Sequence, residues 1–303
     1  MGATRIGRWA ALLSICGMML FSGLFGSTTS TISATCRLAV PRIVSHRGVD
    51  EDELGAKPST LARIVALIDD GFSSFDLDLF WAADKDLASL FVGHPPSLRK
   101  LWGLTDEVHA TPLATLRTRS QPDGLLPLHE LLALLARRRS EVANGMVSLE
   151  LKFPNHPEWR RKLGLLYSQI ASHGVAPLVA AVVGGEGEAA AHREAQAKAG
   201  VRVALLCVLR DIDAPKGADG WPHANATAMA MTARSYDGWA PSWQLLEPNL
   251  RGATRGLPVS TWAVDTEEQL RRSFVYRPRD IISNRPRWAR HTLARWHKEE
   301  CGL

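Results

Sequence analysis

The sequence predicts an α/β protein folded as a single (β/α)8 barrel (a TIM barrel), with a long loop after the second strand. Strand-like and helix-like runs alternate along nearly the whole chain, which favours a sheet of parallel strands. Several strand-like runs are continuously apolar, as expected of a parallel sheet covered on both faces. Polar residues follow these runs, where the active sites of barrels lie. A doubly wound open sheet is the alternative, but His46-Arg47-Gly48 stands where such a sheet normally has its glycine-rich loop.

Each predicted strand is a short run rich in β-branched or other apolar residues. The eight strand-like runs are 41–48, 73–82, 146–153, 176–185, 201–209, 235–243, 257–265 and 279–286. Helical periodicity is seen in 59–71, 126–139, 157–174, 188–200, 266–274 and 287–299. The segment from about Asp84 to Leu126 is too long for an ordinary connection between strand and helix. We expect it to form the surface that determines specificity.

The first 35 residues have the layout of a secretory signal. Arg5 and Arg8 precede an uncharged stretch, 9–26, and small residues precede a cleavage site near Ala34. As a helix this stretch would reach about 27 Å, close to the roughly 30 Å hydrocarbon core of a bilayer. A retained signal anchor is therefore the alternative to cleavage. We predict a signal peptide or anchor over 1–35, a barrel domain over 36–303, and a secreted or membrane-anchored protein.

Two further features agree with a secretory route. Cys36 and Cys301 lie at opposite ends of the predicted domain, where chain termini often meet, and an oxidising compartment would allow a disulfide between them. Asn225-Ala226-Thr227 is an acceptor sequence for N-glycosylation. Cys207 stands inside an apolar run, which predicts a buried thiol.

The charge of the chain does not indicate nucleic-acid binding. The formal net charge is +5, of which the two arginines of the leader contribute two. The remaining basic residues are scattered among acidic ones, as on solvated helix faces. The sequence has no Cys/His zinc pattern and no basic tail, so we expect a small-molecule or lipid substrate and no nucleic-acid partner. It does not indicate an oligomeric state.

Three carboxylates are candidate metal ligands. Asp76 and Asp78 are two residues apart on a predicted strand, so their side chains point to one face. Two neighbouring carboxylates repel one another unless a cation lies between them. Glu150, at the end of the next barrel strand, would complete a set of oxygen ligands suited to Mg²⁺ or Ca²⁺. The structural alternative is that one of the aspartates caps a helix or pairs with an arginine.

Two histidines are candidate catalysts. His46 and His94 each end an apolar run beside Gly or Pro. Two imidazoles suit phosphodiester cleavage, because one takes a proton from the attacking hydroxyl and the other gives one to the departing alkoxide. A lone histidine is more often a structural residue, and that reading applies to each of them taken singly.

Three further residues are candidates for substrate binding. The planar guanidinium of Arg47 suits phosphate oxygens. Lys152 points to the same face as Glu150, and the alternative reading makes these two a structural pair. Trp262 is predicted as an apolar wall for a glycerol or alcohol group, with core packing as the equally weighted alternative.

In order and spacing, these residues resemble the glycerophosphodiester phosphodiesterase family, within the phospholipase-C-like phosphodiesterase superfamily of barrels. The resemblance covers about Pro41 to Pro286. It begins with His46-Arg47-Gly48, continues through Asp76-Leu77-Asp78, His94 and Glu150-Leu151-Lys152, and ends with Trp262-Ala263-Val264-Asp265 and the run 281–286. Asp76 stands where the family has Glu, and Pro95 stands where it has Asp.

The resemblance implies a metal-dependent phosphodiester hydrolase acting on glycerophosphodiesters or related (lyso)phospholipid headgroups. By this resemblance Asp76, Asp78 and Glu150 would hold Ca²⁺ or Mg²⁺, and His46 and His94 would be the acid and base. Arg47 and Lys152 would contact the phosphate. Two other functions remain open at this point: a catalytically inactive barrel that binds a lipid headgroup or a partner, and a phospholipid lyase similar to sphingomyelinase D.

Overall fold

Ten strands and nine helices make up the regular structure of the chain in the part that the computed structural model describes, residues 40–49, 59–84, 89–120, 124–210, 235–246 and 256–301. The strands are β1 Arg42–His46, β2 Phe75–Phe80, β3 Phe91–Val92, β4 Leu126–Pro127, β5 Val147–Leu151, β6 Val179–Val183, β7 Ala204–Leu209, β8 Gly238–Pro241, β9 Ser260–Thr261 and β10 Asp280–Ser283. The helices are α1 Leu61–Asp69, α2 Pro95–Leu101, α3 Leu113–Arg119, α4 Leu128–Arg137, α5 Arg139–Val142, α6 Trp159–His173, α7 Glu186–Ala199, α8 Glu267–Tyr276 and α9 Pro286–Cys301.

Eight of the strands form a parallel sheet that nearly closes into a barrel. Their order is β8-β7-β6-β5-β2-β1-β10-β9. Isolated parallel bridges from Trp239 to Val259 and from Ser242 to Trp262 join the two ends of this order. All eight strands coincide with the runs predicted from the sequence, and the barrel fold is confirmed.

The apolar pattern of the sequence explains which faces of the strands and helices are buried. The residues of β6 are all buried, because a barrel strand is covered by side chains inside and by helices outside. Helix α1 buries one stripe, Ile64, Leu67 and Ile68, and begins at Thr60, whose side chain accepts a hydrogen bond from the backbone of Arg63. The hydrophobic core therefore lies between the strands and the helices that follow them.

An insert of ordered elements takes the place of the long loop predicted after the second strand. In this insert, β3 pairs with β2 on one side and with β4 on the other, both antiparallel. The insert also contains α2, a 3-10 turn at Val108–Ala110 and α3. The insert has its own small core, in which Leu98, Val108 and Leu116 pack against Phe80 and Phe91. The segment is therefore a fixed platform at one side of the barrel mouth in the parts that are described.

Several predictions concern residues outside the described part of the chain. These are the leader over 1–35 with its boundary at residue 36, the glycosylation sequence at Asn225, and the pairing of Cys36 with Cys301. Within the described residues, no helix combines the length and the apolar character needed to cross a membrane. The predicted buried state of Cys207 is confirmed.

Candidate active site

The barrel encloses a cavity of about 250 Å³ toward the carboxyl ends of its strands. All eight residues predicted for the site line this cavity. They are His46, Arg47, Asp76, Asp78, His94, Glu150, Lys152 and Trp262. The other lining residues are Val182, Val208, Arg210, Ala240 and Ile282. The sequence positions therefore converge in space, although their roles remain predictions.

Strand register brings the three carboxylates together. In β2, Asp76 and Asp78 alternate with Leu77, so both point into the barrel. Asp78 is the register partner of Glu150 in β5, and Asp76 is the partner of His46 in β1. Neighbouring strands thus place an imidazole and three carboxylates on adjacent positions of one face.

Lys152 neutralises two of these carboxylates. Its Nζ lies 2.7 Å from Asp78 Oδ1 and 2.6 Å from Glu150 Oε1. The ammonium raises the stability of the charged carboxylates around it, and the pKa of Lys152 is raised by Asp78 and Glu150 despite the opposing effect of burial. The structural pair considered for Glu150 and Lys152 is therefore present, with Asp78 as a third member.

The negative charge of Asp76 is less well compensated by nearby positive groups than the charges of Asp78 and Glu150. It accepts a hydrogen bond from Ser148 Oγ, and the nearest ring nitrogen, His46 Nε2, lies 3.9 Å from Asp76 Oδ2. Burial is the main cause that raises the pKa of Asp76 to about 6, and the neighbouring charge of Asp78 adds to it. An additional cation would stabilise the charged form of this side chain.

The donor chemistry of the three carboxylates fits a hard divalent cation, because all three present oxygen atoms to one cavity. Asp78 is buried, and Asp76 and Glu150 are half-buried. Their present arrangement is not a metal-ligand geometry. Among the described residues, no three His, Cys, Asp or Glu side chains are grouped so that they could hold a metal ion. Since the ammonium of Lys152 lies between Asp78 and Glu150, a metal held by this set requires the ammonium to move.

Arg47 is fixed by a left-handed turn at the end of β1. Its φ is +58° and that of Gly48 is +60°; a Cβ at Gly48 would lie 3.2 Å from Ile64 Cγ1. The Arg47 amide donates to the Asp76 carbonyl at 2.6 Å, and its own carbonyl accepts two hydrogen bonds from Ser59. The side chain is thereby directed at the cavity. Its Nε is buried without a hydrogen bond, 3.6 Å from Asp78 Oδ2.

His46 is oriented by a chain of hydrogen bonds behind it. Asn284 Nδ2 donates to Asp265 Oδ2 at 2.7 Å, which turns Asn284 Oδ1 toward His46 Nδ1, also at 2.7 Å. The Nδ1 nitrogen must therefore carry the proton, and the lone pair of Nε2 faces Asp76 and the cavity. Burial, followed by the charge of Arg47, lowers the pKa of His46 and favours this neutral form. The ring is poised to accept a proton.

His94 is presented by the insert and not by a barrel strand. It caps the N-terminus of α2, where its Nδ1 accepts a hydrogen bond from the Ser97 amide at 3.4 Å and lies 2.8 Å from Ser97 Oγ. Burial is the main cause that lowers the pKa of His94 to about 4. The ring is therefore neutral at physiological pH.

The far side of the cavity is an apolar wall. Trp262 Nε1 donates to the Ala240 carbonyl at 2.7 Å, which fixes the indole against the cavity. Val182, Val208 and Ala240 continue this wall along β6, β7 and β8. Trp262 therefore lines the cavity, and its role as a wall for an alcohol group stays a prediction.

Solved structures similar to this chain include glycerophosphodiester phosphodiesterases, whereas no family model and no curated protein matches the chain. A glycerophosphodiester phosphodiesterase of Parabacteroides distasonis superposes with a TM-score of 0.63 at 14% identity, covering 85% of this chain and 98% of its own. One of Agrobacterium tumefaciens gives 0.58 at 17%, covering 81% and 97%. An Oleispira antarctica phosphodiesterase, in complex with the product sn-glycerol-3-phosphate, gives 0.63 at 14%, covering 84% and 97%.

The first two of these structures carry the name of the family that the sequence resembles. At such low identity the likeness shows the fold, and it agrees with the barrel predicted for this chain. Activity has to be argued from the cavity itself.

Sequence reasoning missed the residues that support or extend the predicted set. Arg210 lines the cavity beyond the end of β7, with Nη2 3.8 Å from Glu150 Oε1. It is two residues after Val208, which also lines the cavity, so the alternation of a strand could have revealed it. Ser148 and Asn284 act through hydrogen bonds across the fold, for which the sequence carries no local signal. Ser97 lies three residues after His94, and its contact depends on the start of α2, which was not predicted.

Proposed function

We propose that this protein is a phosphodiester hydrolase that acts on glycerophosphodiesters or related lysophospholipid headgroups. The observation that carries the proposal is the convergence of two imidazoles, three carboxylates, one lysine and two arginines in a single cavity. The similarity of fold to glycerophosphodiester phosphodiesterases supports the same reading.

The positive groups of the cavity suit a phosphoryl group. Arg47 offers a buried Nε that has no hydrogen-bond partner, and a phosphoryl oxygen would supply one. Lys152 is the second cation within reach of the same space. Both would stabilise the negative charge that develops on the phosphoryl oxygens in the transition state.

Asp76, Asp78 and Glu150 would hold a divalent metal, Ca²⁺ or Mg²⁺. When bound, the metal would withdraw charge from the phosphoryl oxygens. The under-compensated charge of Asp76 supports this assignment. Lys152 would then leave its two carboxylates and be available to the phosphate.

His46 is the base of the proposed reaction. Its Nε2 takes a proton from the attacking water, or from a hydroxyl of the substrate itself, as the new P–O bond forms. The P–O bond to the alcohol then breaks. The products of hydrolysis are a phosphomonoester and an alcohol, and attack by a substrate hydroxyl gives a cyclic phosphate instead. His94 lines the same cavity, at the N-terminus of α2.

The alcohol portion would rest on the apolar wall of Trp262, Val208 and Ala240. A glycerol backbone exposes both CH groups and hydroxyls, so it suits a wall of this kind with charged groups opposite. The relative from Oleispira antarctica was solved with sn-glycerol-3-phosphate, which is a product of such a substrate.

The purified full-length protein should be tested by ³¹P NMR on glycerophosphocholine, glycerophosphoethanolamine, glycerophosphoinositol and lysophosphatidylcholine. Each substrate is tested after treatment with EDTA and again with Ca²⁺ or Mg²⁺ restored. Metal-dependent appearance of a phosphomonoester signal is expected, and a cyclic phosphate signal would identify a lyase. A folded, metal-supplemented protein that turns over none of them would favour an inactive barrel that only binds a headgroup.

A further inference from the structure

We infer that His94 acts as a neutral hydrogen-bond donor, and that Ser97 is the positioning residue that holds it in this form. This inference rests on the proposed function and changes the part assigned to one of its two histidines. In the simplest two-histidine scheme, His94 would be an imidazolium that gives up a proton. The contacts around its ring favour the other protonation state.

The first argument is the direction of the hydrogen bonds at Nδ1. The Ser97 amide lies 3.4 Å from His94 Nδ1 and can only donate, so Nδ1 must be an acceptor. Ser97 Oγ lies 2.8 Å from the same nitrogen and accepts a hydrogen bond from Arg47 Nη1 at 3.4 Å. The hydroxyl proton of Ser97 is therefore directed at Nδ1. The single proton of the neutral ring is left on Nε2, which is the nitrogen available to the cavity.

The second argument is the cost of a second proton on the ring. Protonation of Nδ1 would break the cap of α2 and add a positive charge at the positive end of a helix. The groups that face the ring are Arg47 from the end of β1, Lys152 from the end of β5, and His46 and Asp78 from the barrel strands. Arg47, Lys152 and His46 disfavour the imidazolium, while Asp78 favours it. Burial is the largest cause; together with Arg47, Lys152 and His46 it outweighs Asp78 and lowers the pKa of His94 to about 4.

A neutral imidazole is suited to stabilise charge without losing its proton. The Nε2–H group would donate to a phosphoryl or departing oxygen as negative charge develops there. The alkoxide would take its proton from a water molecule, and the hydroxide so formed would be neutralised by the imidazolium produced at His46. All protons are thereby accounted for, and His94 is unchanged at the end of the reaction.

The sequence around His94 agrees with this role. A carboxylate that accepts from Nδ1 would raise the pKa of the ring and make it a proton donor. The residue after His94 is Pro95, which bears no carboxylate, and the contact to Nδ1 comes from Ser97. Replacement of the Ser97 hydroxyl by a carboxylate should therefore convert His94 from a neutral hydrogen-bond donor into a proton donor.

The ring can be observed directly by long-range ¹H–¹⁵N NMR of the ¹⁵N-labelled full-length protein, with the His94 signals assigned by their loss in His94→Gln. We expect a single neutral tautomer, protonated on Nε2, from about pH 5.5 to about pH 8. An imidazolium at about pH 6, or a ring protonated on Nδ1, would overturn the inference. This readout requires no turnover, so it stands even if the proposed function fails.

Kinetics of two Ser97 variants test the role in the reaction. Ser97→Asp places a carboxylate beside Nδ1 and should add a titration step with an apparent pKa of about 6 to 7 to the pH profile of kcat/KM. Ser97→Asn is the matched neutral control and should add none. A wild-type profile that already contains a step assigned to His94, unchanged by Ser97→Asp, would show that Ser97 does not control the ring.

Discussion

At the scale of single residues, the cavity is close to electrical balance. Asp76, Asp78 and Glu150 face Arg47, Lys152 and Arg210, and both histidines are held neutral. A phosphodiester brings one more negative charge, so a divalent cation or a protonated Asp76 would accompany it. This balance makes each titratable side chain sensitive to the loss of its neighbour.

Replacement of His46 tests the proposed base. His46→Gln keeps a polar side chain but removes the nitrogen that accepts the proton, so turnover should fall by roughly 10²- to 10⁴-fold. His129→Gln makes the same chemical change at an exposed position of α4 and should leave turnover unchanged. Both are measured by ³¹P NMR at saturating substrate, with circular dichroism as the check on folding. Activity of His46→Gln within a few fold of wild type would rule out this role.

Replacement of Lys152 tests the competition between an ammonium and a metal. Lys152→Met leaves Asp78 and Glu150 without their shared cation. Loss of one partner from a fully buried ion pair costs about 3–5 kcal/mol, and the cost here should be smaller because Lys152 and Glu150 are half-buried. The metal-free variant should therefore melt well below the wild type. Ca²⁺ or Mg²⁺ should recover more stability in Lys152→Met than in the wild type, because no ammonium has to be displaced.

The control for this experiment is Lys198→Met, which removes a lysine from an exposed pair with Glu194 on α7. Its melting temperature and its response to metal should match those of the wild type. Equal shifts with metal in Lys152→Met and the wild type would contradict the assignment of Asp78 and Glu150 as metal ligands.

At the scale of elements, the pairing of β2 with β5 aligns Asp78 with Glu150. The chain entering β5 passes very close to the chain entering β2, where Ser74 Oγ accepts from the Met146 amide and the Phe75 amide donates to the Met146 carbonyl. A glycine is required at this crossing, since a Cβ at Gly145 would lie 1.7 Å from the Ser73 carbonyl oxygen.

Two glycine substitutions should therefore have opposite effects on the free energy of unfolding. Gly145→Ala forces the backbone apart at the crossing and should destabilise the protein by about 1–3 kcal/mol. Gly164→Ala lies within α6, where a Cβ meets nothing within 4 Å, and should stabilise it by about 0.5–1 kcal/mol. Urea denaturation measures both. The same sign for the two variants would contradict the close approach at Gly145.

The elements also show how far the sequence could predict the fold and the site. The barrel strands were predictable because each is an apolar run, and the polar residues at their ends mark the cavity. Strands β3 and β4 contain only two residues each, and β4 lies inside the run 126–139, which has helical periodicity. The ordered insert was therefore missed, and with it the cap that Ser97 shares with His94. The equally short β9 was found because it lies within the longer strand-like run 257–265. The pairing of Lys152 with both Asp78 and Glu150 depends on strand register, which the sequence does not fix.

At the scale of the whole molecule, the strand order divides the cavity into two halves. Strands β1, β2 and β5 are neighbours and supply the charged half, whereas β6 to β9 supply the apolar wall on the other side. On that side, Arg210 is the charged member among the described lining residues. In the proposed function, the nearly closed ring of strands would place the phosphoryl group and the alcohol portion of one substrate against different strands.

The outer layer of the barrel contains a titratable group that should make stability depend on pH. His192 is buried between α6 and α7, where its Nδ1 accepts from the Tyr167 hydroxyl at 2.6 Å, and Gln196 donates to that hydroxyl. Burial lowers the pKa of His192 to about 4. Because the unfolded chain binds this proton more readily, the stabilising contribution is complete above the ordinary pKa of about 6.5 and is lost as pH falls toward 4.

The stability of wild type should accordingly fall by about 3 kcal/mol through this group between about pH 7 and about pH 4. His192→Asn retains an oxygen that can accept from Tyr167, but the asparagine cannot titrate. Over the same pH range, the free energy of unfolding of this variant should therefore fall by about 3 kcal/mol less than that of wild type. His129→Asn, at an exposed site on α4, should keep the pH dependence of wild type. Urea denaturation of the three proteins across this range is the measurement. Parallel curves for wild type and His192→Asn would show that His192 does not couple the α6–α7 layer to pH.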